Sequence, residues 1–188
     1  MKRIVMTVMV IMAIVVLGVA LRAATADDKQ PPTAIALPSL PSNSTVKVEL
    51  ESSAAGPRAI EDTTEKAIVR DYGNAWSVLA AALGNNRADT LNSGFTGTAR
   101  DRLAERVQQQ RRAGLRTRYV DHGHKLQAVF YSPEGSAMQL HDTAKLEEQI
   151  LDGDTVVSSR EVNASYVVLM TVGEERWKVR LLQSLEDK

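Results

Sequence analysis

The chain has 188 residues, with 23 lysines and arginines against 23 aspartates and glutamates, so it carries no net charge at neutral pH. That balance argues against a nucleic-acid binder, which is ordinarily basic, and the length allows one domain with a substantial core. No cysteine is present, which excludes disulfides, thiol nucleophiles, cysteine-ligated zinc and a cysteine-borne lipid.

Met1-Lys2-Arg3 leads into Ile4 to Leu21, a run without charge. A secretory signal begins in this way and ends at an A-x-A-like site, which Ala24-Thr25-Ala26 would supply. An uncleaved anchor needs roughly 17–25 apolar residues, and the length of the run favours that reading. Residues 1–26 are therefore expected to be a membrane anchor or signal segment, with Lys2 and Arg3 keeping the amino terminus inside. The folded part would be extracytoplasmic on a single-pass protein, periplasmic in a Gram-negative cell, or secreted if the segment is cleaved. Residues 27–61 hold five of the six prolines among serines, threonines and alanines and show no period, the composition of a disordered linker.

The helical half follows. Asp62-Thr-Thr-Glu65 has the form of a capping box, and Ile68, Tyr72, Ala75, Trp76, Leu79 and Leu83 recur behind it at helical spacing up to Gly84. Asn86 is placed to cap a short helix closed at Ser93-Gly94, and Thr98 with Asp101 to cap a third that runs to Ala113 and stops at Gly114. The third helix is basic, with Arg100, Arg106, Arg111 and Arg112 as a candidate patch for an acidic partner or anionic surface. A solvated helix face explains the same arginines.

From Leu115 the period changes to two. Val120, His122, His124, Leu126, Ala128 and Phe130 share one parity, and Met138, Leu140, Asp142, Ala144, Leu146, Glu148 and Ile150 share that of the next strand. Turns are expected at Pro133-Glu134-Gly135 and Asp152-Gly153-Asp154. A final hairpin has Val162, Ala164, Tyr166, Val168 and Met170 on one face of its first arm, and Trp177, Val179 and Leu181 on one face of its second. Helices first and strands afterwards predict an α+β domain over residues 62–188, with three helices packed on a curved four-stranded antiparallel sheet.

Trp76, Leu83-Gly84, Leu91, Ala144-Lys-Leu-Glu-Glu148, Tyr166 and Trp177-Lys-Val179 together resemble the nuclear-transport-factor-2-like, or cystatin-like, cone. Within it the chain is similar to the intermembrane-space domain of chloroplast division proteins and to related bacterial membrane-anchored domains. The resemblance covers about residues 62–185. It implies the cone fold, and a superfamily that holds small-molecule isomerases and dehydratases beside non-catalytic binding modules and membrane-tethered assembly domains.

The chemistry is open at this stage. Parity places His122, His124 and Asp142 inside the cone, where a histidine and an enclosed carboxylate can exchange protons. Gly123, between the histidines, permits a bulge that breaks the parity. Two imidazoles need a further ligand to hold a metal, so no metal site is expected, and no phosphate loop or hydrolase motif implies a cofactor or nucleophile. Val167 and Leu169 face outward, a surface that a protein partner or a second copy of the chain would cover. The expected function is thus a membrane-tethered, non-catalytic interaction or assembly module. The alternative is a small-molecule-binding domain or isomerase/dehydratase-like enzyme using His122, His124 and Asp142.

Overall fold

The computed structural model describes residues 46–185, which lie within one compact unit. Two short strands, β1 (Val48–Glu51) and β2 (Gly56–Pro57), precede helix α1 (Asp62–Asn85), a 3-10 helix (Ala88–Ser93) and helix α2 (Gly97–Arg112). Four long strands follow: β3 (Leu115–Tyr131), β4 (Ala137–Asp152), β5 (Thr155–Val172) and β6 (Trp177–Ser184).

Helix α1 forms where the apolar period demands it, and Ile68, Tyr72, Ala75, Trp76, Leu79 and Leu83 are all buried. Its ends differ from expectation. Glu61 is the N-cap and no side chain caps it, because Glu65 bonds Ser52 instead of closing a capping box. Asn86 ends α1 in the left-handed conformation, with φ 54°, rather than opening the next helix. Asp71, buried on α1, accepts the Trp177 amide at 2.9 Å and so ties the helix to the last hairpin.

The sheet corrects the expected fold. It has six strands and is mixed: β3, β4, β5 and β6 pair antiparallel in that order, while β1 and β2 both pair parallel with β3. It is an open sheet ending at β6, not a curved four-stranded antiparallel one. The two extra strands come from the stretch assigned to the linker. Val48 and Leu50 are too few to show a period among prolines and serines, yet both pack against the core, and Lys47 accepts the His124 amide at 2.9 Å. Pairing along β3 stabilises what local sequence does not.

Among the described residues no helix is long and apolar enough to cross a membrane. The described residues thus supply no transmembrane helix for the expected membrane contact or for the single-pass extracytoplasmic or periplasmic placement. Ile4 to Leu21 lie outside the described residues.

Register shifts decide which side chains turn inward. In β3 one shift falls between Asp121 and Gly123 and a second between Ala128 and Phe130; in the β5–β6 pair a third falls between Leu169 and Met170. The second turns Tyr131 into the core and leaves Phe130 exposed, opposite to its expected parity. The third sets Leu181 beside Leu169 on the outer face and brings Leu182 against the core. Each bulge adds one residue to one strand and so reverses the alternation beyond it.

Candidate functional site

The site begins with the first of these bulges. Asp121 pairs with Leu146 and Gly123 with Lys145, so His122 is the extra residue. Gly123 adopts φ 125°, a conformation that side chains disfavour, and its amide donates to Asp121 Oδ1 at 2.8 Å. Asp121 and His124 thereby both turn inward, while His122 is exposed.

The His124 side chain is fully buried between two carboxylates. Nδ1 lies 2.8 Å from Asp142 Oδ2 and Nε2 lies 3.0 Å from Asp121 Oδ2. The Tyr72 hydroxyl donates to the same Asp142 oxygen at 2.7 Å. Asp142 Oδ1, equally buried, has no hydrogen-bond partner among the described residues. Burial by itself lowers the His124 pKa, but the hydrogen bonds and charges of Asp121 and Asp142 outweigh it and raise the value to about 9. At neutral pH the ring is therefore an imidazolium that donates from both nitrogens. Burial, reinforced by the charge of Asp142, pushes the Tyr72 hydroxyl well above its ordinary value, so it remains a donor.

Trp76 covers this array, its ring centroid 4.4 Å from that of His124. Trp76 also lines a cleft of about 320 Å³, together with Tyr119, Tyr166, Arg102, Arg106 and Leu182. Arg106 reaches in from α2 and its Nη2 lies 2.7 Å from Glu148 Oε1, with its guanidinium 5.7 Å from the Tyr119 ring centroid. Arg160 binds the other oxygen of Glu148 at 2.6 Å. Burial raises the Glu148 carboxyl, yet the two arginines hold it below its usual value. Burial pushes the Tyr119 and Tyr166 hydroxyls up, leaving both protonated.

His124 and Asp142 come together as their parity implies; His122 does not join them. The expected basic patch is dispersed: Arg106 turns toward Glu148, Arg100 pairs with Asp101 at 2.7 Å, and Arg111 and Arg112 are exposed on the last turn of α2. Val167 and Leu169 are half-buried on the outer face beside Gln139, His141, Leu181 and Gln183. Among the described residues no group of three or more acidic or histidine side chains is placed to hold a metal. Sequence reasoning missed Asp121, because regular alternation points it outward, and Gly123 was the one signal for it. The periodicity of Tyr72 and Glu148 in the sequence marks both only as core positions. The expectation of a non-catalytic module is overturned by the buried His124–Asp142 pair with the half-buried Asp121 beside it, a set of acid–base groups next to Trp76.

No protein-family model and no curated protein matches the sequence. Among solved structures, the intermembrane space region of chloroplast protein ARC6 superposes with a TM-score of 0.56 at 16% identity, covering 69% of this chain and 98% of that one. Kfla4162 from Kribbella flavida gives 0.45 at 11% identity, covering 64% and 90%. A candidate scytalone dehydratase from Novosphingobium aromaticivorans gives 0.45 at 9%, covering 66% and 87%. Only the first likeness is close enough to bear on this chain, and at that identity it concerns the fold. The chain has the nuclear-transport-factor-2-like fold, related in form to the ARC6 intermembrane-space region.

Proposed function

We propose that this domain binds a small molecule in the cleft beside Trp76 and acts on it by proton transfer through Asp142. The observation that carries the reading is Asp142 Oδ1, a buried carboxylate oxygen without a partner among the described residues. Leaving such an acceptor unsatisfied costs about 1–3 kcal/mol or more, a cost that a ligand donor or a transferred proton removes. His124 and Tyr72 hold the other oxygen, so the carboxylate is fixed in orientation while its free edge remains available. Asp142 and Tyr166 are cross-strand partners, and Tyr166 lines the cleft, which puts the carboxylate one side chain behind the ligand space. Trp76 packs on His124 and lines the cleft, and its displacement by a bound ligand is the step that opens Asp142 to substrate.

In such a step Asp142 takes a proton from a carbon acid and returns it to the same or a neighbouring atom. The His124 imidazolium keeps its own protons and orients the base. A cleft of about 320 Å³ is at the small end of ligand pockets, roughly 300–1,000 Å³.

The test is a nuclear magnetic resonance screen of small carbon acids in heavy water. Hits should shift the Trp76 indole resonance, and at least one should exchange a carbon-bound proton for deuterium. Asp142→Asn should reduce that exchange at least 100-fold while the hit still binds. Binding that leaves Trp76 unmoved, or exchange that persists in the variant, would overturn the proposal.

A further inference from the structure

The charges around the cleft narrow the class of ligand, given the reading above that the cleft binds a small molecule. Arg102 and Arg106 both line it from α2. Arg106 is matched by Glu148, a single carboxylate that also takes Arg160. Arg102 lines the same space, yet it has no hydrogen-bond or ion-pair partner among the described residues. Two guanidinium groups thus share one carboxylate, and a third is uncommitted. The residues lining the cleft include both arginines and no carboxylate, and among the described residues Glu148 is the acidic side chain that Arg106 meets.

The remaining wall is aromatic and aliphatic. Trp76 and Tyr166 lie with their ring centroids 5.8 Å apart and their planes tilted by 58°; Trp76 and Tyr119 lie at 6.3 Å and 68°. Leu79, Leu103 and Leu182 complete the apolar surface. Such a wall accepts the face or edge of a flat ring. A guanidinium offers a planar pair of donors that matches a carboxylate. One uncommitted guanidinium matches one negative charge, which suits a carboxylate better than a phosphate dianion.

The geometry points to a small aromatic monocarboxylate as the ligand of this cleft, its ring against Trp76, Tyr119 and Tyr166 and its carboxylate on Arg102. This assignment goes beyond the proton-transfer reading, because it depends on the arginine at the mouth and not on the carboxylate behind Trp76.

The probes are 2-naphthoate and its neutral isostere 2-naphthamide, titrated into the full chain by calorimetry, with Arg102→Gln as the variant. Arg102 is an exposed residue, so the variant keeps the fold, which its thermal transition verifies. Naphthoate should bind at least 10-fold more tightly than naphthamide. The variant should lose that preference while its affinity for naphthamide is unchanged. Equal binding of the two probes to the wild-type chain would overturn the carboxylate assignment and leave small-molecule binding standing. A preference that survives in Arg102→Gln would overturn the placement on Arg102. If neither probe binds at millimolar concentration, the aromatic-carboxylate assignment fails, and the carbon-acid screen alone decides the small-molecule reading.

Discussion

His124 is the residue on which the interior turns. A histidine that donates to two carboxylates retains its proton far above the ordinary range, and the value of about 9 against a reference of 6.5 has a consequence for stability. Below pH 6.5 the folded and unfolded chains both carry the proton, and the stabilisation is fully present. Above it the unfolded chain gives the proton up first, so the contribution declines and is lost as the pH rises through about 9. The difference corresponds to on the order of 3 kcal/mol. Urea unfolding between pH 6 and 10 should show that decline in the wild-type chain. In His124→Gln the slope over this window should be largely absent. A slope of equal size in the variant would show that other groups are responsible.

At the scale of the element, the decisive feature is the bulge in β3. Alternation alone would turn Asp121 outward and pair His122 with His124 inside. One extra residue reverses this, and it is tolerated because Gly123 takes a positive φ at the point of the kink. An added Cβ at Gly123 would meet the Lys47 carbonyl at 3.5 Å, an ordinary contact, so the cost of a substitution lies in the backbone conformation. Gly123→Ala should destabilise the fold by about 1–3 kcal/mol. It should also lower the His124 pKa toward its reference value, because the Asp121 carboxylate is held by the Gly123 amide. The imidazole resonances, followed through a pH titration, measure this directly. An unchanged titration with reduced stability would separate the bulge from the site.

At the scale of the whole molecule, β1 belongs to the folded unit although its sequence resembles a linker. It covers the edge of β3 next to the array: Val48 is opposite His124 and Leu50 opposite Leu126. Val46, Val48 and Leu50 all pack on the core. Their partial burial is worth about 1–2 kcal/mol each. A chain beginning at residue 62 should therefore unfold at lower urea than one beginning at residue 46, by about 3–5 kcal/mol. It should also show faster amide exchange at His124, whose N–H would lose the Lys47 carbonyl. Equal stability of the two chains would mean that β1 contributes nothing to the sheet.

The amino-acid sequence by itself determined the elements whose period is long: α1 from Ile68 to Leu83, the inward face of β4 from Met138 to Glu148, and the first arm of the last hairpin. Each repeats its pattern over many residues, so a local rule is enough to place it. It also brought His124 and Asp142 to the same side of the sheet. What only the tertiary structure decided has one physical origin, which is that strands are stabilised by their neighbours rather than by themselves. The parallel pairing of Val48–Glu51 with β3, the inward turn of Asp121, the exposure of Phe130 and the outward turn of Leu181 all depend on register between strands. The cleft arises in the same way. Arg106 reads as part of a solvated basic helix until α2 is laid across the sheet, where Glu148 and Tyr119 draw it inward.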